Sequence, residues 1–302
     1  MPSRAHDRSH FFKYATYDTA LKVLRSKSFL WSSPIKFNDP FDSQIGFVLD
    51  SNQNEFAKAY AASIERDIFS DIGPTVRPES PLGKEILHLR SIRGRLHGEK
   101  LRLMLHEWGI NAAANLDGSM DQRNVAIQEV LCDHRVLCVS ELHDNVVMWS
   151  HYAEEHRGVV FKLRCIDEID NKLLAARKVS YSDAFPPFPS DDEYTKHLTG
   201  EQPIDFAPLS WELAFTKHTD WSYEKEWRVQ KHVQDLQEPR GDGFTIYPEN
   251  PRVFEAVYLG CRMEDQKVTE IVETVRQNLP ATKILRGKKS TAAFKLSFAE
   301  IN

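Results

Sequence analysis

The sequence predicts an α+β fold with mixed or antiparallel sheets and a helical insertion over residues 52–130. Short segments rich in β-branched and aromatic residues, such as GVVFKLR at 158–164, are typical of strands. Between 52 and 130 the pattern changes to long stretches with apolar residues at helical spacing. The composition, 41% hydrophobic and 27% charged over 302 residues, is that of an ordinary globular protein. We therefore expect one domain over 1–302 that contains the insertion.

A strand, helix, strand unit is predicted at the start of the chain. Residues 11–15 form an aromatic strand candidate, and apolar residues recur at helical spacing over 17–26. A second strand is expected at 29–33, and the turn-rich segment 34–42 closes the unit.

Two helical stretches, 55–69 and 82–110, form most of the predicted insertion, with a Pro-rich break between them. The remaining predicted elements are strands at 136–142 and 158–164 with a helix at 147–155 between them, a surface loop at 186–192, a helix at 210–217, strands at 226–231, 244–247 and 253–259, a helix at 265–278, and strands at 283–286 and 294–298.

Charge and apolar patterning exclude several classes of function. The net charge of -5, with both signs interspersed, argues against stable binding of duplex nucleic acid. The first residues lack the apolar core of a signal peptide, and no apolar run is long enough to span a bilayer, so we expect a cytoplasmic protein without membrane association. The cysteines lack CxxC spacing, which predicts reduced thiols. Nothing in the sequence indicates an oligomeric state.

The first polar motif is FNDPFD at 37–42. Asn and Asp side chains beside Pro40 are typical of a structural turn, because they bond to nearby backbone groups. Alternatively, Asn38, Asp39 and Asp42 bind the ribose hydroxyls of a ligand. The sequence favours the turn and leaves both interpretations open.

The second motif is WSHYAEEHRG at 149–158, expected to be a helix that ends near Gly158. Trp149 and Tyr152 would share one face as packing aromatics or as the wall of a pocket. His151 and His156 are five residues apart and so do not share a helical face, which argues against a zinc pair. No metal is expected.

The third motif is YEKEWR at 223–228. Strand alternation would place Glu224, Glu226 and Arg228 on one face and Trp227 on the other. A surface ion pair is the simple interpretation. Two carboxylates beside aromatic rings are also suited to stabilising a developing positive charge.

The order of these motifs resembles the domain of unknown function 2971 family across most of the chain. The resemblance is carried by FKYAT, FLWSSPIKFNDPFD, MWSHYAEEHRGVVF, WSYEKEWR and AVYLGCRM. It implies no settled activity.

A fainter resemblance is to ADP-ribosyltransferases, and it rests on FFKYAT, the helix after it, LWSSP and the Glu-x-Glu of YEKE. It implies a split sheet, and NAD as the substrate. Lys13 or Tyr14 would replace the His or Arg of the first strand, and Ser32 and Ser33 would correspond to the Ser-bearing strand.

The same resemblance assigns roles to the remaining candidates. Glu226 would stabilise the oxocarbenium-like centre, and Glu224 would activate the acceptor. The other roles are stacking on nicotinamide for Tyr152 or Trp149, and contacts with ribose hydroxyls or phosphates for His151, Asn38 and Arg228. The partner would be a protein or nucleic-acid target, in a setting such as phage defence or toxicity.

Two alternatives to this enzyme remain open. One is a non-catalytic sensor or interaction protein, and the other is a metal-independent nuclease or hydrolase. The transferase hypothesis requires Glu226, Tyr152, Ser32 and Lys13 to converge on one cleft between two sheets. A closed ion-pair network around Glu224 and Arg228 would favour a structural role.

Overall fold

The computed structural model describes residues 4–43, 52–72, 76, 78–169, 171–187, 189–233 and 241–301. The chain forms two compact units. A sheet unit comprises residues 1–44, 129–185 and 214–302, and a helical unit comprises residues 45–128 and 186–213. The predicted α+β class is confirmed, whereas the single domain stays a prediction.

The elements of the described residues, in chain order, have the following bounds. The helices are α1 Tyr17–Ser26, α2 Gln53–Phe69, α3 Pro81–Ser91, α4 Gly98–Ala114, α5 Leu116–Cys132, α6 Val146–Tyr152, α7 Asp191–Thr199, α8 Phe206–Ala214 and α9 Asp265–Asn278. The strands are β1 His10–Ala15, β2 Ser28–Ser32, β3 His134–Ser140, β4 Val159–Arg164, β5 Arg177–Lys178, β6 Ser180–Tyr181, β7 Thr216–Lys217, β8 Glu226–His232, β9 Phe244–Pro248, β10 Phe254–Leu259, β11 Lys283–Lys289 and β12 Leu296–Glu300.

Ten strands of the described chain form one mixed sheet in the sheet unit. Its main path runs β12-β11-β10-β4-β1-β3-β2-β9, and β8 joins β3 to β5. Neighbouring strands are antiparallel except β10 and β11, which are parallel. A separate parallel pair is formed by β6 and β7.

The sheet divides along β3. One edge of β3 pairs with β8 over its whole length. The opposite edge is shared, because β1 reaches it at Phe12↔Ser140 and β2 reaches it at Ser32↔Val136. A strand has only two edges for hydrogen bonding, so β1 and β2 must diverge here. This divergence leaves space between them for side chains.

Strand alternation separates two cores on the faces of this sheet. On one face, Phe11 of β1 belongs to the core that contains Leu24 of α1 and Ile271 of α9. On the other face, Phe12 belongs to a smaller core with Trp149 of α6. The short helix α6 covers only part of this second face of the sheet.

The predicted helix through Gly158 is wrong at its C-terminal end. Helix α6 ends at Tyr152, and Glu154, Glu155 and His156 all have positive φ angles. This left-handed turn returns the chain directly into β4. A Cβ atom on Gly158 would lie 2.3 Å from the carbonyl oxygen of Ala15, so the close approach of the turn to β1 requires glycine.

The helix predicted at 210–217 is present but has the wrong bounds, because α8 starts earlier and ends at Ala214. Residues 216 and 217 form β7 instead. Two smaller corrections concern the predicted loop at 186–192, where α7 begins at Asp191, and the predicted helix 82–110, which is interrupted between α3 and α4.

In the helical unit, α2 packs against α3, α4 and α7. Its core contains Ile64 and Ile68 of α2, Ile86 of α3 and Leu105 of α4. Capping side chains start two of the helices, since Asn52 accepts from backbone N–H groups of α2 and Ser80 does so for α3. Among the described helices, none combines the length and apolar composition needed to cross a bilayer.

Candidate functional site

A cavity of about 190 Å³ lies in the sheet unit where β1 and β2 diverge along β3. About half of its lining residues are aromatic or aliphatic, and the others carry polar or ionisable side chains whose stems add to the apolar surface. The lining residues are Phe12, Lys13, Tyr14, Leu30, Ser32, Phe37, Asn38, Asp42, Val136, Cys138, Val139, Ser140, Met148, Tyr152, Lys217, Glu224 and Glu226. A largely apolar wall with a few convergent polar groups is typical of small-molecule sites.

The structure brings many of the predicted site residues together at this cavity. Those in its lining are Lys13, Tyr14, Ser32, Asn38, Asp42, Tyr152, Glu224 and Glu226. Those outside its lining are Ser33, Asp39, Trp149, His151, His156 and Arg228. The three motifs thus meet, although each contributes only part of its polar side chains.

Glu224 and Glu226 converge by a different route from the predicted strand alternation. Glu224 ends a 3-10 helix over Thr219–Glu224, and Glu226 is the first residue of β8. Lys225 between them has a φ of 45°, in the left-handed region. The alternation prediction is therefore right for Glu226 and Arg228 and wrong for Glu224, which reaches the same place through this turn.

Lys217, at the end of β7, is the cation toward which these carboxylates point. Its Nζ donates to Oε2 of Glu224 at 2.6 Å and to Oε2 of Glu226 at 3.1 Å, and it lies 3.7 Å from Oδ2 of Asp42. Burial alone would lower the pKa of Lys217, but the neighbouring carboxylates outweigh it and raise the pKa above its ordinary value. Lys217 is therefore charged in the folded protein.

Arg228 anchors the FNDPFD motif to β8. Its Nε donates to Oε1 of Glu226 at 2.8 Å, its Nη2 to Oδ2 of Asp42 at 2.5 Å, and its Nη1 to the carbonyl of Ala214 at 2.6 Å. The guanidinium also lies 4.9 Å from the ring centroid of Phe37. Arg228 is 1% exposed, so its donors serve the protein itself rather than the predicted ribose or phosphate of a ligand.

The FNDPFD motif forms the turn that the sequence favoured, and the binding of ribose hydroxyls stays a prediction. Asp39 accepts the backbone N–H of Phe41 at 2.9 Å, the contact of an Asx turn. Asp39 also borders a second cavity, which has a volume of about 470 Å³. Asp42 instead belongs to the ion-pair network, and Asn38 bonds the hydroxyl of Tyr152.

The WSHYAEEH motif is divided in the same way. The buried Trp149 donates from Nε1 to the carbonyl of His143 and packs in the core, so its ring is not available for stacking on a ligand. His151 is exposed beside the hydroxyl of Tyr223, and His156 stacks on Trp149. Tyr152 is the member of this motif that reaches the cavity.

Tyr152 and Glu224 form the polar pair that faces the cavity. The Tyr152 hydroxyl donates to Oε1 of Glu224 at 2.5 Å. Burial and the Glu224 carboxylate raise the pKa of Tyr152 well above its ordinary value, so the phenol keeps its proton. Burial raises the pKa of the Glu224 carboxyl, and the Lys217 ammonium opposes that rise.

Glu226 has a different environment. Burial alone would raise the pKa of its carboxyl, but Arg228 and Lys217 outweigh burial and hold the pKa well below its ordinary value. Both of its oxygens accept from these two cations. The carboxyl group of Glu226 is thus held as an anion. The carboxylate of Glu224 has more lone pairs left to accept further hydrogen bonds.

We expect the Glu226 network to make the protein sensitive to acid. A carboxyl whose folded-state pKa is lowered stabilises the fold above its unfolded-state pKa of about 4.3, and this contribution is lost as the pH falls toward the folded-state value. Urea unfolding at a series of pH values should show a falling free energy of unfolding below about pH 4.3. Glu226→Gln should flatten that slope, whereas Glu168→Gln, at an exposed position, should leave it unchanged. Equal slopes in all three proteins would contradict this assignment.

Lys217 is a cavity-lining cation that the sequence prediction missed. The helix expected at 210–217 placed it at a helix end, outside the motif at 223–228. A signal was nevertheless present, because Asp42, Glu224 and Glu226 outnumber the one arginine predicted beside them. Buried charges are usually paired, so a second cation was to be expected.

Within the described residues, no group of His, Cys, Asp and Glu side chains has a metal-binding arrangement.

Comparison with known proteins supports the motif assignment. The model of the family described as "Protein of unknown function (DUF2971)" matches residues 148–229. This match confirms the resemblance over the segment that holds Tyr152, Lys217, Glu224 and Glu226, while β1, β2 and FNDPFD lie outside it. No curated protein and no solved structure matches the chain.

Proposed function

We propose that the cavity binds the nicotinamide and ribose of NAD, and that the protein is an ADP-ribosyltransferase-like enzyme. It would cleave the bond between nicotinamide and ribose and transfer ADP-ribose to a macromolecular target. The observation that carries this proposal is the convergence of Lys13, Ser32, Tyr152 and the Glu-x-Glu carboxylates on one cavity between diverging strands.

The electrostatics of the cavity suit a substrate that becomes positively charged at the reacting carbon. Asp42, Glu224 and Glu226 carry three negative charges when ionised, and Lys217 and Arg228 carry two positive charges beside them. Lys13 adds a third positive charge to the lining, so the attraction for a cation is local to the Glu224 carboxylate, and a low-dielectric wall strengthens it. Glu224 is better suited to this role than Glu226, because each of its oxygens accepts one hydrogen bond, whereas the oxygens of Glu226 accept three from Lys217 and Arg228.

The chemical steps use Glu224 in two ways. When the bond from the ribose C1′ to the ring nitrogen breaks, its electron pair leaves with nicotinamide, and the positive charge on C1′ and the ring oxygen faces the Glu224 carboxylate. The nucleophilic atom of the acceptor then forms a bond to C1′. Its proton passes to Glu224, which acts as the general base. Tyr152 holds the carboxylate in position through its hydroxyl.

The size of the cavity agrees with partial enclosure of NAD. A volume of about 190 Å³ is below the roughly 300–1,000 Å³ of pockets that enclose drug-sized ligands. The cavity therefore suits the nicotinamide and ribose, and the adenosine half would extend beyond it. Lys13, whose Nζ donates to the carbonyl of Cys138 at 2.8 Å, has further N–H donors for a phosphate of the dinucleotide.

The most direct assay of this function is release of nicotinamide. The full chain is incubated with NAD that carries one label on nicotinamide and another on adenine, in the presence of a bacterial lysate as a source of acceptors. We expect free nicotinamide to accumulate and the adenine label to enter protein or nucleic acid. An unchanged NAD pool in this assay would refute the proposal, and degradation of nucleic acid without NAD would indicate a nuclease.

Tyr152→Phe should weaken both stability and activity to a limited extent. Removal of a hydrogen bond to a charged group costs about 1.5–3 kcal/mol of stability, and Glu224 loses its positioning partner. Nicotinamide release should therefore fall, but less than it does when Glu224 itself is replaced. Tyr223→Phe is the matched control, because the Tyr223 hydroxyl contacts the exposed His151 and lies outside the cavity. Equal losses in both variants would argue against a role for Tyr152.

A non-catalytic role is the second candidate, and the Arg228 network favours it. A buried arginine that bridges Asp42 and Glu226 can simply hold the loop 37–43 on the sheet. In that case, Glu224→Gln would change the free energy of unfolding and would affect no reaction. The variants described in the Discussion separate the two candidates, since they report activity and stability independently.

A further inference from the structure

The contacts of Lys217 go beyond those needed for a simple ion pair. Its side chain is 6% exposed, and its ammonium lies among three carboxylates from two segments of the chain, the FNDPFD loop and the YEKEWR motif. We propose that Lys217 is a positioning residue that keeps Glu224 ionised and directed into the cavity, so that the reactive unit is the Lys217–Glu224 pair. This inference rests on the proposed function for its catalytic consequence, but not for its effect on Glu224.

The carboxylates around Lys217 differ in how they are neutralised. Asp42 and Glu226 each contact Arg228 as well as Lys217. Among the described residues, Glu224 has Lys217 alone as an ion-pair partner. Loss of the ammonium would leave Asp42 and Glu226 with a guanidinium, whereas Glu224 would face two neighbouring anions with only the Tyr152 hydroxyl as a donor.

Trp221 adds an aromatic contact to the ammonium of Lys217. The ring centroid of Trp221 lies 4.8 Å from Nζ of Lys217, within the range of a cation–π contact. Trp221 belongs to the same 3-10 helix as Glu224, so one short element supplies both contacts. The aromatic ring and the carboxylates thus hold the ammonium beside Glu224.

Glu224 must be ionised to stabilise a positive charge, because a neutral carboxylic acid carries no net charge to offer. Burial favours the neutral acid, and the ammonium of Lys217 is the opposing influence. The other titratable and charged groups that interact with Glu224 or border the pair are Asp42, Tyr152, Tyr181, Tyr223, Glu226 and Arg228. The phenols among them are neutral, and the guanidinium of Arg228 is paired with Asp42 and Glu226, so none of these groups replaces the charge of Lys217 beside Glu224.

The test compares Lys217→Met with Lys217→Arg and with the surface control Lys178→Met, whose parent side chain is 56% exposed. Nicotinamide release is measured against pH, at temperatures where each variant is folded. Lys217→Met should lower the rate at neutral pH by at least about tenfold and move the acid limb of the profile to higher pH, since the loss of an opposite charge favours the protonated carboxyl. Lys217→Arg should keep the acid limb near that of the unmodified protein, and Lys178→Met should change neither rate nor profile.

A second measurement does not depend on catalysis. Infrared spectra of protein labelled with ¹³C at the glutamate carboxyls, with Glu224→Gln as the reference, report the protonation of Glu224 directly. The protonated band should persist to higher pH in Lys217→Met than in the unmodified protein. If Lys217→Met does not fold, the same spectra are measured on Lys217→Arg. In that variant, Glu224 must stay ionised over the same pH range as in the unmodified protein.

The outcomes separate the two proposals. A band that titrates as expected in a protein that leaves NAD intact would refute the transferase function and retain the role of Lys217. A Glu224 band or acid limb that is unchanged in Lys217→Met, or displaced in Lys217→Arg as far as in Lys217→Met, would overturn the role of Lys217.

Discussion

Glu224→Gln is expected to lower the rate of nicotinamide release by about 10²–10³-fold, the range seen when a single preorganised electrostatic contact is removed from an active site. The amide keeps the shape of the side chain and can still accept from Tyr152 or Lys217, but it carries no negative charge for the ribosyl cation. Single-turnover measurements with saturating NAD isolate this chemical step from binding.

The variant to compare with Glu224→Gln is Glu226→Gln. Glu226 is held between Arg228 and Lys217, so its replacement should reduce the free energy of unfolding more than Glu224→Gln does. We therefore expect Glu224→Gln to lose activity with little loss of stability, and Glu226→Gln to lose stability foremost. The reverse pattern would support the original expectation that Glu226 is the catalytic carboxylate.

Arg228→Met is expected to destabilise the protein by about 3–5 kcal/mol, the usual effect of removing one partner of a buried ion pair. Asp42 would lose its closest cation and Glu226 would lose its two contacts with the guanidinium. The carbonyl of Ala214 would also lose a donor. Urea unfolding at neutral pH measures this change as a lower midpoint, with the slope as a check on two-state behaviour.

Two variants sharpen the Arg228 prediction. Arg228→Lys should recover only part of the loss, because one ammonium cannot reproduce the planar contacts with Asp42, Glu226 and Ala214 together. Arg276→Met replaces an exposed arginine of α9 and should change stability by no more than about 0.5 kcal/mol. A loss in Arg228→Met as small as that in Arg276→Met would show that the network does not hold the FNDPFD loop.

Much of the fold could be predicted from local sequence. Helices α1 and α9 were predicted with their observed bounds, because their apolar residues recur at helical spacing over a whole element. Strand β4 was predicted from its β-branched and aromatic residues. The order in which strands pair depends on contacts between distant segments, so the divergence of β1 and β2 along β3 could not be inferred from composition or periodicity.

The site was predictable in its motifs and less so in its geometry. Tyr152 and Glu226 lie at the cavity as expected, because each stands in a cluster of polar and aromatic residues. The turn after α6 was missed because Glu154 to His156 contain no glycine or asparagine to signal positive φ angles. Lys217 was missed for a related reason, since the two-residue strand β7 is too short to produce a periodic pattern.

The central claim, that NAD occupies this cavity, is tested most directly by methyl NMR of protein labelled with ¹³C at the methionine methyl groups. Met148 lines the cavity, whereas Met263 lies in the core on the opposite face of the sheet. Titration with an uncleavable NAD analogue should shift the Met148 signal, because the nicotinamide ring changes the local magnetic environment, and should leave Met263 unchanged. A Met148 signal that stays in place at saturating analogue, or a shift confined to other methionines, would contradict the claim.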